Sequence, residues 1–356
     1  MSNSFGEKFK ITIFGQSHSE AIGIVIDGIP AGVRLDMEKI LNFMARRAPG
    51  KNAYSTTRKE ADLPEIVSGV VDGITCGAPI CAIIKNNNQN SKDYSKLKTL
   101  PRPSHADFAA YMKHNSFNDI RGGGNFSGRL TAPLCFAGAI AMQILEEKGI
   151  RISAHIEKIA GIKDSRFDPV NVDADTLSKV SSKEFPLIDD SVKDKMLAKI
   201  EEARLDSDSV GGVIECAVTG LPAGIGDPMF DGVENALSKA VFAIPAIKGI
   251  EFGNGFDCAD LRGSQNNDSF ILVDGKIASE TNNHGGILGG ITSSMPIIFR
   301  VAVKPTPSIA KPQMSVNLET MTQEELVITG RHDPCIVPRA VPCIEAAAAL
   351  ALINLI

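Results

Sequence analysis

The sequence lacks the features that mark several large classes of protein. Its seven cysteines are scattered over 356 residues without a CxxC spacing. This argues against a zinc knuckle and a disulfide framework, and it favours reduced thiols in a cytoplasm. There is no basic surplus, since the net charge is -5, so general nucleic-acid binding is not expected. No basic segment followed by an apolar run and a cleavage site opens the chain, so no secretory signal is expected.

The usual phosphate, dinucleotide and metal motifs are also missing. There is no GxxxxGK run, and no GxGxxG follows a predicted strand. His18, His105 and His332 lack the helical or short-hairpin spacing of zinc ligands, so metal catalysis is not expected. The most apolar run, at 340–356, is short for a membrane span and contains a proline and a glutamate. It is predicted to be a buried helix, and no membrane partner is expected.

The order of apolar patterns predicts a mixed fold. Strands and helices occur in pairs and meanders, not as regular β-α-β repeats, which favours an α+β domain with antiparallel sheets. No linker divides the chain convincingly, so residues 1–356 are treated as one catalytic domain. Segments 164–190, 261–270 and 278–290 read as polar or glycine-rich irregular structure, and 85–103 as a surface loop or flap. The main predicted helices are 37–48 with Asp36 as N-cap, 104–115, 127–148 (the longest), 191–204, 231–242 and 338–356.

The stretch between Arg102 and Arg129 concentrates residues suited to anion binding and proton transfer. His105 has Asp107 two residues away, and an aspartate fixes a histidine tautomer. In RGGGNFSGR the glycines permit close backbone approach. Ser127 and the last arginine add donors at a helix start, where unpaired N–H groups attract anions. The structural alternatives are a locally bonded histidine and a tight glycine turn.

Three further motifs are weak when taken singly. His18 lies in the loop GQSHSE between two predicted strands, Lys304 to Ser308 (KPTPS) follow a strand, and GRHDP contains Asp333. Each has an ordinary explanation as a solvated loop residue, a strand-end lysine or a surface turn. Because the whole chain is acidic, any anion site must concentrate positive charge locally.

Taken in order, these motifs resemble those of the chorismate synthase family. FGQSHSEAIGIVIDGIPAG resembles the GESHG signature, RPSHAD resembles RPGHAD, and RGGGNFSGRLTAP resembles RGGGRSSARET. ARRAPG with YSTTRKEAD resembles the arginine-rich segment. KGIEFGNGF, LRGSQNND, TNNHGGILGGIT, KPTPSI and GRHDPC match most closely. The resemblance covers essentially the whole chain.

The resemblance implies a lyase of the shikimate pathway, which supplies aromatic amino acid biosynthesis. The family converts 5-enolpyruvylshikimate 3-phosphate to chorismate and phosphate by an anti-1,4-elimination. It needs reduced FMN without net redox change, and NADPH is a candidate flavin reductant. The implied fold is a single-domain β-α-β sandwich in which antiparallel sheets enclose a helical layer. The implied assembly is a cytoplasmic homotetramer that acts on a small phosphorylated substrate.

Residue roles follow from the same resemblance. His18 matches a proton donor to the leaving phosphate, His105 a histidine beside the flavin, and Asp333 an aspartate that acts with flavin N5 on the ring proton. The positions that match substrate-binding arginines are Arg46, Arg47, Arg129 and Arg331. The positions that match flavin contacts are Arg102, His105, Asn125, Phe126, Ser127, Ala246, Asn283, Gly289, Lys304, Pro305, Thr306, Pro307, Ser308 and Arg331.

The chain departs from the family pattern in its early loop and its glycine run. GESHG is GQSHS here, RSSAR is NFSGR, and Ala48 and Ala53 replace arginines. These departures motivate a rival hypothesis, a non-catalytic flavin- or phosphate-binding relative. A metal-dependent phosphatase is a second alternative. Retention of both histidines and Asp333 favours the enzyme, because a binding module has little need of proton carriers.

Overall fold

The computed structural model describes residues 3–50, 60–86, 96–328 and 333–356. Two five-stranded antiparallel sheets enclose a layer of helices. The helices are α1 Met37–Arg47, α2 Asp107–Lys113, α3 Thr131–Glu147, α4 Ala174–Ser182, α5 Lys193–Leu205, α6 Val233–Val241, α7 Gly263–Asn266 and α8 Val337–Leu355. The strands are β1 Ser4–Phe5, β2 Lys10–Gly15, β3 Ala21–Asp27, β4 Glu65–Ser68, β5 Val70–Val71, β6 Ile74–Thr75, β7 Ile80–Lys85, β8 Arg151–Ile159, β9 Ile162–Lys163, β10 Gly212–Thr219, β11 Ile247–Phe252, β12 Phe270–Val273, β13 Lys276–Ser279, β14 Ile287–Leu288, β15 Ile291–Thr292, β16 Ile297–Val303, β17 Gln313–Asn317 and β18 Thr322–Leu326.

Each large sheet has its apolar face against the helices. The first sheet has the order β1-β2-β3-β7-β4, and the second has the order β11-β16-β10-β8-β9. In the first sheet Ile24 of β3 is fully buried and pairs with Ala82 of β7. In the second, Cys216 of β10 lies between Phe299 and Ala154, and all three are fully buried. The antiparallel sheets predicted from the strand pairs are confirmed, as is the sandwich that the resemblance implies.

The central layer is built around α3 and α8, which pack on each other. Helix α3 contacts strands of both sheets, and α8 contacts α1, α6, β8 and β10. A Cβ at Gly138 would lie 2.3 Å from that of Ala346, so glycine is what permits the two backbones to approach. Both helices are long and apolar enough to cross a membrane, but 78% and 83% of their apolar windows are buried inside the fold. The terminal apolar run is therefore a core helix, as predicted.

Helix boundaries agree with the sequence signals where a cap is present. The Asp36 carboxylate accepts from the N–H of Lys39 at 3.0 Å, which confirms the N-cap of α1. The predicted 127–148 helix begins instead with a 3-10 turn, Gly128–Leu130, capped by Ser127, and α3 starts after it. The prediction that this helix is the longest is confirmed only if its 3-10 turn is counted: α3 alone has 17 residues against 19 for α8, and Gly128–Glu147 has 20.

Two irregular segments of the prediction contain regular structure. Segment 164–190 holds α4, which Asp173 caps through the N–H of Thr176 at 2.7 Å, and which buries Leu177 and Val180. The hairpin β12–β13, with Asp274-Gly275 as its turn, spans the end of segment 261–270 and the start of segment 278–290. An Asp-Gly pair between apolar runs is a strong hairpin signal. Residues 87–95 of the predicted flap at 85–103 lie outside the described residues.

Candidate active site

A cavity of about 570 Å³ opens beside the amino-terminal ends of α3 and α8. That size is typical of small-molecule sites, which span roughly 300–1,000 Å³. It collects residues from distant parts of the chain. The segments that meet there are the loop after β2, residues 102–128, the loop after β16 and the amino-terminal ends of both central helices. Its lining includes Ser17, Arg47, Glu60, Arg102, His105, Gly122, Asn125, Phe126, Ser127, Arg129, Thr131, Ala246, Lys304, Thr306, Pro307, Ser308, Asp333, Arg339 and Cys343.

His105 belongs to a buried group with the two polar residues that flank it in sequence. Its Nδ1 lies 2.6 Å from Oδ1 of Asp107, and Arg102 donates to both oxygens of that carboxylate at 2.7 and 2.8 Å. Burial alone would raise the pKa of Asp107, but the bonds from Arg102 and His105 hold it below its usual value. Because an ionised carboxylate is the acceptor, we assign the proton to Nδ1, which leaves Nε2 toward Gly123 and the cavity.

His18 lies directly behind the cavity wall. It is 5% exposed and is not one of the lining residues, whereas its neighbours Ser17 and Gly122 are. A Cβ at Gly122 would come within 2.4 Å of the His18 ring, and the φ of Gly122 is +59°. Glycine at this position therefore makes room for the imidazole. The glycine run, predicted to let a ligand approach, also holds a histidine.

Arg47 and Arg129 converge on one carboxylate, that of Asp62. Each forms an ion pair with a different oxygen of Asp62, and the three side chains are at most 5% exposed. Glu60 pairs with Arg129 at 2.8 Å, and Thr131 accepts from Nε of Arg47 at 2.9 Å. Burial favours the neutral acid, but the charges of Arg47 and Arg129 outweigh it and hold the pKa of Asp62 below its usual value.

Asp333 is held by an arginine that the sequence did not suggest. Nη1 of Arg339 donates to Oδ2 of Asp333 at 2.5 Å, and Nε donates to the carbonyl of Arg47 at 3.0 Å. Burial lowers the pKa of Arg339. Arg339 is the single basic residue of the mostly apolar helix α8, which is the signal that could have identified it. Asp62 and Glu60 gave no comparable signal.

The lysine and hydroxyls after β16 also reach the cavity. Lys304 donates to the carbonyl of Ser104, and burial together with the charge of Lys248 lowers its pKa. Ser308 accepts from Nη1 of Arg102 at 3.0 Å. The Thr306 hydroxyl is buried and has no hydrogen-bond partner in the described part of the chain.

Several predicted residues lie elsewhere. Arg46 makes two hydrogen bonds, at 2.6 and 3.0 Å, to the fully buried Glu345 and faces a separate cleft. Asn283 donates to the carbonyl of Asn266 at 3.1 Å and does not line the cavity. Pro305 and Gly289 are likewise absent from the lining. Arg331 lies outside the described residues, as do Lys51, Ala53 and Arg58 of the early arginine-rich segment.

The fold and this cavity, with four guanidinium groups beside a histidine and an aspartate, are those of an α+β enzyme for a small anionic molecule. The chorismate synthase family profile matches residues 9–356. The chain is 47% identical over 365 residues to the chorismate synthase of Lancefieldella parvula, covering 99% of this chain and 96% of that one. It is 46% identical over 355 residues to that of Dehalococcoides mccartyi, covering 100% and 96%. A crystal structure of chorismate synthase matches with a TM-score of 0.76 and 27% identity, over 99% of this chain and 92% of that one.

The chain belongs to the chorismate synthase family, which confirms the resemblance seen in its motifs. It is accordingly a carbon–oxygen lyase of the shikimate pathway. Neither the profile nor the relatives assign roles to individual residues, so those roles remain proposals.

Proposed function

We propose that this protein converts 5-enolpyruvylshikimate 3-phosphate to chorismate and phosphate with reduced FMN as cofactor. One observation beyond family membership carries the proposal: Arg47, Arg129 and Arg339 meet His105 and Asp333 in one cavity. The substrate is multiply anionic, and guanidinium groups bind phosphate and carboxylate through paired hydrogen bonds. The acidic chain thus concentrates positive charge where the ligand needs it.

The residues present fit a flavin mononucleotide. Apolar surface from Phe126 and Ala246 lies in the same cavity as Lys304 and two buried hydroxyls, on Ser17 and Thr306. Those hydroxyls have no hydrogen-bond partner within the described ranges. A buried polar group without a partner is costly, so a polar ligand that bonds to it is favoured. A planar ring with a phosphorylated side chain supplies both kinds of contact.

When bound, reduced FMN supplies an electron-rich ring that supports C–O cleavage without net redox change. His105 is fixed by Asp107, so it presents one defined ring nitrogen to that ring. His18 holds a proton for the departing phosphate. It acts from behind the wall formed by Ser17 and Gly122. Asp333 accepts the ring proton, and Arg339 orients its carboxylate.

Arg47 and Arg129 hold the anionic groups of the substrate. Their own charges are partly balanced by Asp62 and Glu60, which fixes both guanidinium planes before the ligand arrives. Preorganised charge of this kind stabilises developing negative charge without reorganisation during the reaction. The arginine cluster therefore binds substrate and supports the loss of phosphate.

Anaerobic incubation with substrate and dithionite-reduced FMN, followed by chorismate absorbance, tests the proposal. Absence of product would defeat it and would favour the non-catalytic relative. Activity that needs a metal and no flavin would favour the phosphatase. Repeating the assay aerobically with oxidised FMN and NADPH shows whether the protein reduces its own flavin.

Single variants test the residue roles. His18→Ala and His105→Ala should each lose turnover by roughly 100-fold or more, the usual scale for proton-transfer groups. Asp333→Asn should still bind FMN but lose most turnover. His114→Ala is the matched control, because this histidine follows α2 and does not line the cavity. Near-wild-type turnover in any of the first three would remove that assignment.

We propose a cytoplasmic homotetramer as the working form. The hairpin β12–β13 exposes Phe270, Leu272 and Ile277, each more than two-thirds exposed, and such apolar patches typically mark subunit contacts. Asn283 and Gly289 do not line the cavity of their own chain. Their flavin contacts therefore require a neighbouring subunit. Sedimentation of Leu272→Lys should show smaller species, and an unchanged tetramer would exclude this surface.

A further inference from the structure

Two cysteines of the central helices meet at the wall of the cavity. Cys135 lies on α3 and Cys343 on α8, and their sulfur atoms are 3.8 Å apart, with the Cys135 thiol donating to Cys343. Both are free thiols and both are buried. Cys343 lines the cavity, whereas Cys135 lies behind it. A small solute in the cavity therefore reaches Cys343 first and Cys135 only through it.

Two sulfur contacts act on Cys343: the Cys135 thiol donates to it, and its own thiol donates to the carbonyl of Arg339 at 3.5 Å. The hydrogen bond from Cys135, together with the charges of Arg47 and Arg339, lowers the pKa of Cys343 to about 7, although burial opposes this. Burial raises the pKa of Cys135 well above its usual value, so that partner keeps its proton. A thiolate in contact with a protonated thiol is the arrangement of an attacking cysteine and a resolving cysteine.

We propose that Cys343 and Cys135 form a site of reversible oxidation by hydrogen peroxide, with Cys343 attacking and Cys135 resolving. The Cys343 thiolate attacks one peroxide oxygen, the O–O bond breaks, and the departing hydroxide takes a proton to become water. The Cys135 sulfur then attacks the resulting sulfenic acid, loses its proton, and displaces a second water as the disulfide forms. Two thiols lose two electrons in all, and one peroxide becomes two waters.

The fold permits the second step without large movement. A disulfide is ~2.0 Å long, so the sulfur atoms need to approach by less than 2 Å. The two helices are already close, because Gly138 lets α3 pack against Ala346 of α8. The bond would link the helices beside Arg47 and would remove the thiolate from the cavity wall.

Other buried cysteines of the same chain provide internal controls. Cys335 is 1% exposed, and burial raises its pKa to about 12. Cys216 is fully buried in the second sheet, and burial raises its pKa well above the usual value. Cys343 is therefore the buried cysteine of this set whose surroundings lower its pKa, whereas burial keeps Cys335 and Cys216 protonated.

The test uses the full chain without added flavin or substrate, so its result is independent of the proposed function. The folded, reduced protein is treated with hydrogen peroxide, quenched by alkylation in denaturant, and mapped by peptide mass spectrometry. We expect a Cys135–Cys343 linked peptide, the loss of two alkylatable thiols, and their recovery with dithiothreitol. Cys335 and Cys216 should stay fully alkylatable. Full alkylation of Cys135 and Cys343, or oxidation of Cys335 at the rate of Cys343, would overturn the proposal.

Two variants assign the order of the steps. Cys135→Ser should leave Cys343 as a sulfenic acid that dimedone traps, and Cys343→Ser should leave Cys135 reduced. Oxidation of Cys135 at the wild-type rate in Cys343→Ser would contradict the assigned roles. If either variant fails to fold, as judged by circular dichroism, the wild-type map alone still decides the proposal.

Discussion

Asp62→Asn tests whether one buried carboxylate holds the arginine cluster. Asparagine has the same side-chain shape as aspartate and tolerates the positive φ of 51° at this position. The substitution therefore removes the negative charge and leaves the local backbone and packing nearly unchanged. Arg129 keeps Glu60 as an anionic partner. Within the described residues, Arg47 keeps the hydroxyl of Thr131 and the carbonyl of Gly128. The variant therefore leaves one buried guanidinium without its carboxylate.

Breaking a buried ion pair from one side costs about 3–5 kcal/mol, and the retained amide oxygen and Glu60 favour the lower end. For a chain of this size, a loss of about 3 kcal/mol lowers the melting temperature by about 4 °C. Inorganic phosphate should raise the melting temperature of the variant more than it raises that of wild type, because an anion can replace the missing charge beside Arg47.

Differential scanning calorimetry of both proteins, with and without phosphate, measures these effects. Glu146→Gln is the matched control. It removes a carboxylate that pairs with Lys39 of α1 at 3.6 Å, but both side chains are about half exposed or more. An exposed pair is worth about 0–1 kcal/mol. If Asp62→Asn shifts the melting temperature no more than this control does, the cluster does not depend on Asp62.

The pH dependence gives an independent check on the same residue. The folded pKa of Asp62 lies below its unfolded value, so its contribution to stability is present at neutral pH and is lost as the pH falls through the folded value. The difference in melting temperature between wild type and Asp62→Asn should therefore stay constant down to about pH 4 and narrow only below it. A difference that disappears near pH 6 would point to a histidine instead.

Three further predictions concern other packed groups. Gly122→Ala should displace the ring of His18 and lower the free energy of unfolding by about 1–3 kcal/mol. Gly128→Ala should be neutral in the same melting assay, because a Cβ at that position meets no atom within 4 Å. His155 lies between two buried carboxylates, which raise its pKa although burial opposes them. Its contribution to the free energy of unfolding is therefore present below about pH 6.5 and is lost as the pH rises through the folded pKa. His155→Gln should flatten that alkaline decline in melting temperature; an identical slope would refute the assignment. Asp107→Asn replaces the charged acceptor of His105 with a neutral amide and should lower turnover about tenfold or more under anaerobic assay, with equal turnover as the contrary result.

The sequence was most informative where a local rule fixes local structure. Asp36 identified the start of α1 because an N-cap acts within its own turn. His105 and its partner Asp107 were paired correctly because they are two residues apart. The motif order identified the family, and the comparisons confirm it. The Asp173 cap of α4 is a local signal of the same kind, because it too acts within one turn.

The composition and short-range patterns therefore determined the fold class, the buried terminal helix and the pairing at His105. Only the tertiary structure decided that Arg47 and Arg129, 82 residues apart, share Asp62. It also decided that Arg46, next to Arg47 in sequence, turns toward Glu345. Successive residues on a helix point about 100° apart, so neighbours in sequence face different partners. Which partner each one meets depends on how the helices pack, and that packing depends on contacts distant in sequence.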